Sequence, residues 1–106
     1  MNDSKLYLTQ IIFVNEGKED IFNAFEAIAI PKIAEYNGTL IYRVRPESAQ
    51  FINDVADKPY EIHFVSFDLE ADFKRFMQDE ERKSYLHMFK ESVREVLLVG
   101  GQALNR

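Results

Sequence analysis

The chain contains no cysteine and no tryptophan, and it spends only four glycines and three prolines on 106 residues. Without cysteine there can be no disulfide framework, no thiolate zinc site and no thiol nucleophile. Basic runs are missing as well. Thirteen Lys and Arg stand against eighteen Asp and Glu, a formal net charge of -5, and no cluster could neutralise a row of phosphates, so nucleic acid is not an expected partner. The longest apolar stretch, Leu6 to Val14, is broken by Thr9 and Gln10 and followed by Glu16, Glu19 and Asp20. It is too short to span a membrane and lacks the small-residue site at which a signal peptide is cut, so no membrane partner is expected and a cytoplasmic location is. Internal repeats and low-complexity segments are absent too.

What is present, 46% hydrophobic and 29% charged residues, suits one ordinary domain over residues 1–106. A chain of this size buries roughly 60 to 68% of its unfolded surface, enough for a core without staples.

Leu6 to Val14 is rich in β-formers and ends at Asn15-Glu16-Gly17, the pattern of a strand and a turn. From Lys18 to Tyr36 the spacing is helical, with Phe22, Phe25, Ala29 and Ile33 on one stripe and Glu26 among the residues mostly off it. Asn37-Gly38 supplies a left-handed stop, and Pro31, which has no amide hydrogen, predicts a kink or break near Ile30. Thr39 to Arg45 reads as a second strand, Tyr60 to Phe67 as a third and Val96 to Val99 as a short fourth. Between the last two, Asp68 is the expected cap of one helical piece and Asp79 or Glu80 opens another that runs to about Ser92. The order β-α-β-β-α-β, with the second helix in two pieces, is the ferredoxin-like α+β arrangement: a four-stranded antiparallel sheet with helices on one face.

In a monomer the other face should be polar. Here Ile11 to Val14 and Val96 to Val99 are continuous apolar runs, and the third strand carries Ile62 and Phe64 on one side and Val65 and Phe67 on the other. A homodimer packed sheet to sheet covers both faces, with Val65 and Phe67 placed on the shared face. The competing arrangement lays the irregular stretch 47–59 across the sheet through Phe51, Ile52 and Val55.

Several segments together resemble the dimeric α+β barrel superfamily, which includes antibiotic-biosynthesis monooxygenase-like proteins and a family of small uncharacterised domains. They are LYLTQIIFV, the helix leading into Asn37-Gly38-Thr39, IYRVR, VSFDLEADF and the closing VLLVGG, covering Leu6 to Leu104. The resemblance implies a dimeric barrel and a range of activities: cofactor-independent monooxygenases, haem-degrading enzymes, lactone isomerases and decarboxylases. The haem-degrading set includes a Trp, which this chain lacks. The uncharacterised family often places a carboxylate near Val65 and a Tyr and an Arg on the last helix, where this chain has Glu81 and Met88.

No spacing in the chain specifies a catalytic constellation, a P-loop, a nucleophile elbow or a metal motif, and neither metal nor cofactor is expected. His63 and Tyr42 are the candidates for catalysis; His63 lies mid-strand with Glu61 on its face and could move a proton near neutral pH. Arg82, Tyr85 and Tyr7 are the candidates for ligand binding. Arg82 falls on the apolar side of its helix between Leu86 and Phe89, where its stem could snorkel or its guanidinium could select an anion. Tyr7, Tyr42 and Tyr85 could line a cleft between sheet and helices. Arg43 and Arg45 share a strand face, where they could bind a carboxylate; their expected role is in ion pairs with an acidic partner surface or with Glu61. His87 is placed on the solvated side of the last helix. Two functions fit these residues: a small-molecule-handling, cofactor-independent monooxygenase or isomerase, or a non-catalytic dimeric sensor or interaction domain.

Overall fold

A computed structural model describes residues 5–53 and 56–104. Its elements run β1 (Leu6–Val14), α1 (Glu19–Glu35), β2 (Gly38–Val44), a 3-10 turn (Ser48–Gln50), β3 (Glu61–Phe67), α2 (Glu70–Met77), α3 (Glu80–Ser84), α4 (Leu86–Ser92) and β4 (Val93–Gly101). The four strands form one antiparallel sheet in the order β2-β3-β1-β4, the ferredoxin-like topology. The helices cover one face of the sheet only, and the molecule is a slab with extents of 45 × 38 × 17 Å.

The stripe Phe22, Phe25, Ala29 and Ile33 is buried against the sheet as its spacing requires. Pro31 does not break α1, which continues to Glu35. Its ring lies on the exposed side, where a lost hydrogen bond is least costly. The helix ends on Asn37 at φ 62°, so the left-handed residue is the Asn. Gly38 is needed for space: a Cβ there would meet Ile33 Cγ2 at 2.6 Å, Phe67 Cε1 at 2.7 Å and the Ile33 carbonyl at 2.9 Å.

The second crossover carries three short helices where two pieces were expected. Leu69, one residue after Asp68, caps α2, and its N–H donates to the Asp72 side chain at 3.1 Å. Asp79 caps α3, accepting from the Arg82 N–H at 2.8 Å. The chain then leaves helical geometry at Tyr85, at φ -109° and ψ 9°, before α4. The fourth strand is more than twice as long as expected and starts at Val93, because pairing with β1 overrides the polar Arg94-Glu95.

Pairing of Leu8 with Val65 and of Leu6 with Phe67 fixes the faces. Val65 and Phe67 point toward the helices and join Leu8 and Ile33 in the core. Their expected place on a shared dimer face is therefore reversed, and the open face is formed by Tyr7, Ile11, Ile62, Phe64, Leu97 and Val99 instead. Nor does the 47–59 stretch cover that face with Ile52, which is 92% exposed; Val55 lies outside the described residues.

Candidate functional site

Between the sheet and the helices lies a cavity of about 540 Å³. Its walls are mostly apolar, formed by Leu8, Val65 and Phe67 of the sheet and by Phe25, Ile33, Phe73, Phe76 and Phe89 of the helices. Into it come a few polar groups: Gln10 from β1, Glu26 from α1, His63 from β3 and Arg82 from α3. Such a volume, with few polar groups among many apolar ones, is typical of small-molecule sites.

Glu26 was not singled out by the sequence. It sits four residues after Phe22 and three before Ala29, so the 3.6-residue period does put it on the buried stripe. Burial in an apolar wall disfavours its charged form and pushes its pKa from 4.5 to about 7; His63, Arg43 and Arg82 nearby pull it back, and Glu61 pushes it further up. It is therefore a carboxyl that exchanges its proton near neutrality.

Behind His63 lies Glu61, fully buried at the head of β3. Arg43 Nε donates to its Oε2 at 2.7 Å and Arg43 Nη2 to its Oε1 at 3.3 Å, while Arg45 Nε donates to Oε1 at 2.7 Å. His63 Nε2 completes the clamp through Oε2. Burial opposes ionisation of Glu61, but the hydrogen bonds from His63, Arg43 and Arg45 outweigh it and bring its pKa down to about 2. An acceptor-only carboxylate requires a proton on His63 Nε2, so the imidazole is the donor of this bond. Arg45 is anchored in turn by Asn23 and lies 4.7 Å above the Tyr60 ring.

Glu26, Glu61 and His63 present atoms within 4.8 Å of one another, a spacing that could hold a metal ion. The donor chemistry argues otherwise. Both oxygens of Glu61 already accept from two guanidiniums and an imidazole, and a cation would have to displace those positive groups.

Of the residues singled out beforehand, the fold brings His63 and Arg82 together at the cavity and takes the three tyrosines away from it. Tyr42 and Tyr7 lie on the open sheet face, flanking Phe64 with ring centroids 5.6 and 5.9 Å from it. The cause for Tyr42 is a bulge at Ile41: Leu40 pairs with Val65 but Tyr42 pairs with Phe64, so alternation skips one residue and Tyr42 turns outward. Tyr85, at the break between α3 and α4, is 39% exposed and stacks on the exposed His87. Arg82 is buried outright. Its Nη1 donates to the Met77 carbonyl at 3.3 Å, and its guanidinium lies 5.1 Å from the Phe76 ring and 5.8 Å from that of Phe25.

No family model and no curated protein sequence matches the chain. Solved structures do. A Rhodopseudomonas palustris protein of unknown function superposes with a TM-score of 0.83 at 10% identity, over 99% of this chain and 86% of that one. A candidate antibiotic biosynthesis monooxygenase from Bacteroides thetaiotaomicron gives 0.72 at 14% identity, over 96% and 91%. A dimeric ferredoxin-like protein of unknown function from Jannaschia sp. CCS1 gives 0.71 at 19% identity, over 94% and 100%. At these identities the likeness establishes the fold: ferredoxin-like α+β, shared with monooxygenase-like and dimeric proteins. Among the described residues no helix is long and apolar enough to cross a membrane.

Proposed function

We propose that the protein is a homodimeric, cofactor-independent enzyme of the isomerase or monooxygenase type, which binds a small and mainly apolar molecule between sheet and helices. The observation that carries this reading is the Glu26 carboxyl, poised to ionise near pH 7 in the wall of an apolar cavity of about 540 Å³. In this role Glu26 takes a proton from a carbon beside a substrate carbonyl. His63, held in one orientation by Glu61, is a positioning residue whose charge sets how readily Glu26 gives its proton up. Return of the proton to a neighbouring carbon conserves all atoms and is an isomerisation; in the oxygenase outcome dioxygen takes up the carbanion, the peroxide anion takes the proton back from Glu26, and the hydroperoxide loses water to leave a new carbonyl.

The homodimer rests on the open sheet face. Leu97 and Val99 are 51% and 53% exposed there, beside Ile11 and Phe64, and a second copy of the sheet would remove about 800 Å² per partner. The cavity lies on the opposite side of the sheet, so the dimer leaves it free to take a ligand.

The test is solvent exchange. Wild-type protein and Glu26→Gln are incubated in deuterium oxide with a panel of small cyclic and aryl carbonyl compounds, and deuterium at carbon is read by NMR while dissolved oxygen is recorded. Catalysed exchange that falls about 100-fold or more in Glu26→Gln is expected. Exchange that survives the substitution removes Glu26 from the role. Tight binding without exchange or oxygen uptake makes the protein a binding domain.

A further inference from the structure

A buried guanidinium is costly to keep unless something meets it. Arg82 has 9% of its surface exposed, and its Nε is buried with no hydrogen-bond partner among the described residues. Of its donors, Nη1 is spent on the Met77 carbonyl, and Asp79 engages the Arg82 backbone N–H. The rings of Phe25 and Phe76 flank the guanidinium plane and desolvate it without accepting a hydrogen bond in that plane. Lys83 and Lys90 also line the cavity, against one lining carboxyl, Glu26; Glu26 and Asp79 are the acidic groups that act on Arg82.

We propose that the cleft selects a monocarboxylate carrying an apolar ring or chain, with its carboxylate on the Arg82 guanidinium and its body against the aromatic wall. Among the described residues no side-chain acceptor hydrogen-bonds the guanidinium, so a carboxylate would complete its bonding, and the planar fork of Arg holds it in a fixed direction. The inference deepens the reading of Glu26 as the proton-transferring group and depends on it for one element alone. With the carboxylate fixed at Arg82, the carbon to be deprotonated is the one the cavity presents to Glu26. Neutral isosteres are rejected because an amide or ester cannot satisfy a buried cation equally well.

The experiment measures binding of phenylacetate, cyclohexylacetate and 1-naphthylacetate against their primary amides, by calorimetry at pH 7.5, on wild type, Arg82→Met and Arg82→Lys. At least one acid is expected to bind wild type tenfold or more tighter than its amide. That preference should vanish in Arg82→Met and weaken in Arg82→Lys. Arg82→Met keeps an apolar stem between Phe25 and Phe76 but gives up the bond to the Met77 carbonyl, so its fold is checked by circular dichroism; if it fails to fold, the preference is read from Arg82→Lys. Equal affinity for acid and amide, acid binding indifferent to Arg82, or no acid bound at all overturns the proposal. The two readings fail separately: Arg82-dependent acid binding without deuterium exchange sinks catalysis and keeps the ligand class, whereas Glu26-dependent exchange on neutral compounds alone does the reverse.

Discussion

Replacing Glu26 by Gln should stabilise the protein, and the pH at which it does so follows from the burial of the carboxyl. In the unfolded chain this group ionises near 4.5 and in the folded one near 7. Below pH 4.5 both states hold the proton. Between 4.5 and 7 the unfolded state releases it while the folded state keeps it, so folding stability falls as pH rises, and above 7 the loss is complete. At about 1.4 kcal/mol per pH unit the full loss is roughly 3 kcal/mol. His63, Arg43 and Arg82 offset part of the burial penalty and Glu61 adds to it; these charges already shape the folded value.

Gln has nearly the shape of the protonated carboxyl and does not titrate. The variant should match wild type within about 1 kcal/mol at pH 4.5 and exceed it by about 2 to 3 kcal/mol at pH 8. Urea unfolding at fixed protomer concentration, at half-unit intervals between pH 4.5 and 8, measures the difference. Taking the difference between the two proteins removes the titration of groups common to both. Parallel curves across 4.5 to 7 would refute the reasoning, since Glu26 would then ionise as freely in the fold as in the unfolded chain.

Glu61→Ala should destabilise by about 2 to 4 kcal/mol, because the buried His63 and two guanidiniums lose their shared acceptor. Glu61 is depressed to about 2, so its contribution is present above pH 4.5 and is lost as pH falls toward 2; acid titration of unfolding should show that loss in wild type and not in the variant. Val99→Asp, on the open face, should leave the protomer folded and dissociate the dimer in sedimentation at micromolar concentration; a compact wild-type monomer would end the dimer reading. Deletion of Ile41, the extra residue opposite no partner, should cost no more than about 1 kcal/mol on an edge strand and keep the acid limb of Glu61 intact, as circular dichroism and the same acid titration would show.

The framework of this fold is legible in the residues because it follows two simple periods. The alternation of β1 and β3 and the stripe Phe22, Phe25, Ala29, Ile33 each describe one surface that must be covered. The site is less legible because it is made where those periods are violated. Glu26 sits on a buried stripe, and reading polar residues as solvent-facing hides the one group whose burial matters most. Val65 and Phe67 are as apolar as Ile62 and Phe64, so composition alone cannot say which pair faces the helices; the β1 register with Leu8 and Leu6 decides. Tyr85 left the wheel because α3 is five residues long and closes before reaching it. Arg82 did fall on the apolar side as its spacing indicated, and its depth follows from the packing of Phe25 and Phe76 about it.

With Ile41 present, unbroken pairing of β2 could not meet two demands that its bulge reconciles. Leu40 must face the helices, since it packs against the core of Leu8, Ile33, Val65 and Phe67. In unbroken alternation Tyr42 and Val44 would share its face, and Arg43 and Arg45 would project from the open one. Two guanidiniums on each protomer would then lie where two apolar sheets are proposed to meet, and Glu61 and His63 would keep no cationic partner from β2. Ile41 absorbs the mismatch. With Leu40 opposite Val65 and Tyr42 opposite Phe64, the second half of the strand is turned over, Arg43 arrives beside His63, and both arginines reach Glu61. The same step moves Tyr42 onto Phe64, adding an aromatic ring to the open face. The clamp that holds His63 beside Glu26 and the apolar surface available to a second copy thus have a common origin in the register of a single edge strand.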